Sequence, residues 1–177
     1  QVSLVASVAV SVPMQLDVCA TKIDQGFSKL YRKHLISNLI TYMQRKQLHL
    51  ELNGLNEEAL KIAELGNLND IKSFWEYDNQ VVARLYNFKD VYDYYNLSSS
   101  RQFLKNIQIP TKIIQAEDDP FMTKDVVPDQ SELSQYVELK LTKSGGHVGF
   151  ITANNPFNPE YWLEQYIPEY LKQQGFG

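Results

Sequence analysis

Cysteine is almost missing from this chain. Cys19 is the only one in 177 residues, so no disulfide can close within it. That excludes a small disulfide-stapled scaffold and fits a reducing, cytoplasmic setting, with Cys19 itself a quiet structural residue. No run of about 20 apolar residues occurs, so no transmembrane segment is expected. Charge of one sign is not in large excess: 17 Lys and Arg face 21 Asp and Glu, a formal net charge of -4. A chain with that balance has no global electrostatic footprint for nucleic acid, and no nucleic-acid partner is expected. Glycine is sparse, with eight residues, and no glycine-rich phosphate loop follows a strand near the front. A nucleotide-binding fold is disfavoured on that ground. His34 and His49 have no ligand pattern between them, and neither a metal nor a cofactor is expected.

What is present is ordinary globular material: 44% hydrophobic and 21% charged residues, in a chain long enough to bury a core without metal or disulfide. It opens Gln1-Val2-Ser3-Leu4-Val5-Ala6-Ser7-Val8-Ala9-Val10-Ser11-Val12-Pro13, apolar but without the basic flank or cleavage signature of a leader. Val5 to Val12 reads as a strand buried on both faces, as in a parallel sheet covered by helices, and Pro13 stops it. Standing so near residue 1, it is expected to be interior to a larger sheet, and the chain to be part of something longer.

From Lys22 to Arg45 the period changes. Phe27, Leu30, Tyr31, His34, Leu35, Asn38, Leu39, Tyr42 and Met43 recur at three- and four-residue steps and predict one packed helical stripe. Arg32, Lys33, Arg45 and Lys46 read as a solvated face. A second helix is predicted over Asn56–Glu64, with Glu57 and Glu58 suiting its first turn. Helical spacing continues through Ile71, Phe74, Trp75, Val81, Val82, Leu85 and Tyr86. The aromatic group Tyr86, Phe88, Tyr92, Tyr94 and Tyr95 reads as packing, or as the lining of an acyl pocket.

After residue 109 strands return. Ile109–Ala116 is a β-type run ending in the acidic turn Glu117-Asp118-Asp119-Pro120. Asp125–Leu133 reads as loop or short helix. Val137–Leu141 alternates as a second strand and enters the loop Lys143-Ser144-Gly145-Gly146-His147-Val148-Gly149-Phe150. Pro159–Gln173 closes as an amphipathic helix with Tyr161, Trp162, Gln165, Tyr166 and Tyr170 on one face and Pro168 predicted to kink it. This order predicts an α/β fold with a parallel sheet: a core strand in 1–14, a mostly helical cap over 15–105, and the remaining core over 106–177.

Two features could carry chemistry. Functional side chains in open α/β sheets gather at the carboxyl ends of strands, and Asp119 and His147 each follow one. A carboxylate beside an imidazole orients it, selects its tautomer and stabilises the imidazolium. Gly145 and Gly146 would let the backbone turn sharply. The plain alternative is a turn and a flexible loop. No nucleophile completes the set: Gly26-Phe27-Ser28-Lys29-Leu30 lacks the final glycine of a G-x-S-x-G elbow and lies in a helical stripe, and Ser144 reads as a loop residue.

The combination Ala116-Glu117-Asp118-Asp119-Pro120-Phe121 with Gly145-Gly146-His147-Val148-Gly149-Phe150 resembles the α/β-hydrolase fold, and more narrowly the YheT-like (ABHD-type) hydrolases. Val8–Pro13, Gly26–Tyr31, Phe74–Asp78, Asp93-Tyr94-Tyr95 and Ile109-Pro110-Thr111 share that texture. The resemblance implies an ester hydrolase with a Ser-His-Asp triad, in which Asp119 is the acid, with Asp118 the second choice, and His147 the base. It places the nucleophile and the oxyanion hole before residue 1, so this chain is expected to be the carboxyl-terminal part and inactive alone. It implies a small-molecule ester with a hydrophobic acyl portion as substrate, and self-association through an exposed sheet edge if the rest is absent. The alternative is a non-catalytic module of the same fold that binds a lipid or protein partner.

Overall fold

The computed structural model describes residues 4–152 and 159–175; Gln1, Val2 and Ser3 of the opening run lie outside them. The chain divides into two compact units, one formed by residues 1–15 with 100–177 and the other by residues 16–99.

The first unit is built on three parallel strands, β1 (Ser7–Val10), β2 (Thr111–Ala116) and β3 (Val137–Thr142), in the order β1-β2-β3. The fold class is therefore α/β with a parallel sheet. β2 is buried at all six positions because it has a neighbour on each side. Its two long polar side chains are accounted for. Lys112 pairs with Glu138 and lies 5.1 Å from the centre of the Tyr170 ring, and the Gln115 amide donates to the Val12 carbonyl at 2.8 Å. β1 departs from expectation: it is shorter than Val5–Val12 and only half-buried, because it pairs with β2 alone among the described residues.

The period of two sorts the strand residues between faces. Val8, Val10, Ile114 and Ala116 pack with Phe150 against α6 (Trp162–Gln173), through Trp162, Leu163, Tyr166 and Ile167. The predicted face of this helix was one residue out of place. Tyr161 and Gln165 are exposed, and Leu163 and Ile167 take their places, because Tyr161 precedes the helix and bridges to Ile151. On the other face Ser7, Ala9 and Ile113 join Leu104, Ile107 and Ile109 around an open, almost wholly apolar cleft of about 430 Å³.

The second unit is helical: α1 (Leu16–Ile23), α2 (Ser28–Leu52), α3 (Asn56–Ala63), α4 (Phe74–Tyr77) and α5 (Val91–Ser98). Gly26, at φ +52°, breaks the predicted Lys22–Arg45 helix and separates α1 from α2. The predicted stripe of α2 is only in part the packed one. Phe27 is 84% exposed, Leu30 66% and Tyr42 62%; Met43 of that stripe is buried, but beside Ile36 and Ile40 from outside it, with Ile62, Leu65, Leu68, Ile71, Tyr77 and Val81. α2 carries apolar residues on both sides, so periodicity marks a helix without saying which side finds a partner. Ile36, Ile40 and Met43 share one cluster with Ile62 of α3 and with the buried residues that follow it, and that covering decides it.

Ser73 caps α4 by accepting the Glu76 N–H, and Asp90 caps α5 by accepting the Asp93 N–H. Between them Asp78–Ala83 forms a π-helical turn, a rare geometry that widens the helix locally. Asp78 sits there against Tyr95, whose hydroxyl donates to it at 2.7 Å. Burial pushes the Asp78 carboxyl up to about 6, and the Tyr95 hydrogen bond opposes that shift. The aromatic group packs locally: Trp75 meets Tyr95 edge-on at 4.8 Å and Tyr92 at 5.3 Å, and Tyr94 meets Phe88 at 5.1 Å. Tyr86 is 70% exposed. Among the described residues no helix is long and apolar enough to cross a membrane.

Candidate active site

The register of the sheet brings the two candidate loops together. Ala116, the last residue of β2, stands opposite Thr142, the last of β3, so the chain leaves both strands at the same edge. Asp119 lies three residues beyond one end and His147 five beyond the other. Oδ2 of Asp119 and Nδ1 of His147 are 2.9 Å apart. Asp119 is buried, and its Oδ1 accepts the Phe121 N–H at 2.9 Å, which fixes the carboxylate in an Asx turn closed by Pro120. The His147 side chain keeps 35% of its surface open, and the Phe121 ring packs edge-on against it at 4.8 Å.

Chemically this arrangement can serve as an oriented base. With the proton on Nδ1 donated to Asp119, the lone pair stays on Nε2, and an imidazolium formed there would face a buried carboxylate. The glycines before His147 are required by the loop. Gly146 has φ +59°, a region glycine enters without strain. A Cβ on Gly145 would stand 2.7 Å from the Phe150 ring and 3.1 Å from the Ala116 Cβ, so only glycine fits there without a shift.

Comparison with known proteins places the sequence among relatives. The chain is 37% identical over 166 residues to YheT of Escherichia coli (strain K12), a protein provisionally named an esterase, covering 94% of this chain and 46% of that protein. This is a YheT-like α/β-hydrolase sequence. The YheT-like chain is also 24% identical to the monoacylglycerol lipase ABHD2 of Danio rerio, over 86% of its own length and 40% of that protein's. It is 26% identical to the monoacylglycerol lipase of Saccharomyces cerevisiae, over 82% and 31% respectively. It thus spans less than half the length of these relatives. No family model matches it, and no solved structure matches it.

Of the other candidates, Ser144 stands in the His147 loop, two residues past β3, and Ser28, His34 and His49 belong to the helical unit. Ser28 opens α2 in the helical unit. His34 and His49 lie on α2, each beside an asparagine four residues on, Asn38 and Asn53. Among the described residues no group of three or more His, Cys, Asp and Glu could hold a metal ion. At the edge itself Ser11 escaped the sequence reading, and Asp118, the second choice for the acid, has a partner of its own. Ser11, just past β1, has φ +51° and is buried, and its hydroxyl donates to the backbone carbonyl of His147. Asp118 accepts the Gly146 N–H on Oδ1 at 2.9 Å. A serine after an apolar strand carries no local signal of such a role. The neighbouring acids Asp118 and Asp119 were visible, but not that each takes a different partner.

Proposed function

We propose that the chain is the acid-and-base part of a serine hydrolase acting on carboxylic esters with a hydrophobic acyl portion. The observation that carries this reading is the 2.9 Å pairing of His147 Nδ1 with the buried Asp119 at the carboxyl ends of adjacent parallel strands. The esterase and lipase names of the relatives support the ester class. In this reading His147 Nε2 takes the proton of a serine hydroxyl as the serine oxygen bonds to the ester carbonyl carbon. It then returns that proton to the departing alkoxide, and water repeats the cycle to release the acid. Asp119 holds the ring and offsets the charge it carries in between.

Ser11 is not that serine: it is 4% exposed and its hydroxyl is donated to a carbonyl. We place the nucleophile and oxyanion-hole donors in sequence ahead of this chain, in keeping with its short coverage of the relatives, and assign the helical unit the role of a cap. The 177 residues alone then lack the groups that form and stabilise an acyl-enzyme, and their open sheet edge and apolar cleft favour self-association.

The test is a serine-reactive fluorophosphonate probe with an ester assay. The full-length protein should label stoichiometrically, the isolated 177 residues should not, and His147→Ala in the full-length protein should abolish ester turnover. Labelling of the isolated chain, or full turnover by His147→Ala, would overturn the assignment. A full-length protein that never labels would favour a non-catalytic binding module.

A further inference from the structure

We infer that Asp118 and Ser11 are positioning residues that hold the His147 loop by its backbone, one on each side of the histidine. This rests on the proposed role of His147. The loop between β3 and the segment leading to α6 has little regular structure to hold it: Phe150 N–H bonds back to Gly145 O at 2.9 Å, and the turn between them contains two glycines. A loop with that composition carries an entropic cost when it is fixed in one geometry.

The structure supplies two side-chain anchors within it. The Asp118 carboxylate, one residue from the proposed acid, accepts the N–H of Gly146, immediately before His147. The Ser11 hydroxyl, from the end of β1, donates to the carbonyl of His147 itself. The first anchor comes from the loop after β2 and the second from β1, so three strand ends converge on one residue. Asp119 fixes the ring through Nδ1, and Asp118 and Ser11 fix the backbone that carries it.

Ser11 is held in a conformation that L residues seldom adopt, at φ +51°, while buried. Such strain persists where surrounding structure imposes it, and clusters where geometry matters. Here it aims a strand-end hydroxyl sideways across the sheet edge. The adjacent acids therefore have separate work: Asp119 acts on the imidazole and Asp118 on the main chain.

The two anchors can be separated from simple folding effects by the choice of variants, all made in the full-length protein. Asp118→Ala removes the acceptor, whereas Asp118→Asn retains an oxygen able to accept the Gly146 N–H. Ser11→Gly removes the hydroxyl without adding strain to the backbone at φ +51°. Asp118→Ala and Ser11→Gly should each lower kcat about tenfold with KM little changed, as expected for one hydrogen bond lost from a positioned base. Asp118→Asn should stay within about twofold of the parent.

A second readout does not need turnover: the low-field proton of His147 Nδ1 in histidine-labelled full-length protein. It should broaden through faster exchange in Asp118→Ala and Ser11→Gly and stay sharp in Asp118→Asn. Unchanged kcat and a sharp resonance in both loss variants would overturn the clamp, as would an Asp118→Asn variant as impaired as Asp118→Ala. If the parent proves inactive, the proposed hydrolase role fails, and the resonance alone then decides whether the clamp exists.

Discussion

Asp78 offers the most quantitative test of the helical unit. Its carboxyl is raised from 3.8 to about 6, with burial the largest cause and the Tyr95 hydrogen bond opposing it. A folded-state value above the unfolded one means the folded chain holds the proton more firmly. Below about 3.8 both states are protonated and the site costs nothing. As pH rises through the window from 3.8 to about 6 the unfolded chain ionises first, so stability falls, and above that window the cost is complete. A shift of about two units corresponds to a ceiling of about 3 kcal/mol, and the remaining solvent contact of Asp78 reduces this to about 1–2 kcal/mol.

Asp78→Asn cannot ionise, yet keeps an oxygen to accept the Tyr95 hydroxyl. The variant should therefore be more stable than the parent by about 1–2 kcal/mol at neutral pH, with the gap closing as pH falls below about 4. Urea unfolding at several pH values measures this directly. Trp75, 4.8 Å from Tyr95, is placed to report on it by fluorescence. The comparison is parent against variant at each pH, which cancels the other carboxylates. A variant no more stable than the parent at neutral pH, or a gap independent of pH, would refute the argument.

Two further substitutions test the sheet unit. Gly145→Ala should destabilise it by about 1–3 kcal/mol, because the new methyl must displace the Phe150 ring 2.7 Å away; thermal unfolding checks it, and an unchanged Tm would show that the ring moves freely. Arg101→Ala should also destabilise, by about 1–3 kcal/mol, since its guanidinium makes a two-pronged pair with Glu132 at 2.7 Å and also bonds Gln15 Oε1 at 2.6 Å and the Asp125 carbonyl. The same pairing holds the Glu132 carboxyl down at about 2, so the loss should appear at neutral pH and shrink as Glu132 is protonated in strong acid.

Much of the sheet unit was legible in the residues because strand and turn signals are local. A proline-led apolar run, an acidic turn, an alternating run and a glycine loop carry their meaning within a few positions, and they became β2, the Asp119 turn, β3 and the His147 loop. The helical unit was less legible. Nothing in the residue spacing marks the π-helical turn at Asp78–Ala83, and nothing distinguishes Phe27, Leu30 and Tyr42 from Ile36 and Ile40 as the side of α2 that packs beside Met43. Which side is covered depends on the partner helix, which lies outside the local window.

By itself the sequence determined that this is an α/β chain with two strand-end loops bearing an acid and a histidine, because backbone preference and hydrophobic period act residue by residue. Only the tertiary structure decided that those loops meet. That required parallel neighbours in a register setting Ala116 opposite Thr142, a pairing between residues far apart in the chain. It also decided that Asp119 takes the imidazole while Asp118 takes the Gly146 N–H, and that a serine more than a hundred residues earlier reaches the carbonyl of His147. Partner choice at that scale is set by where three strands end in space, and no spacing along the chain encodes it.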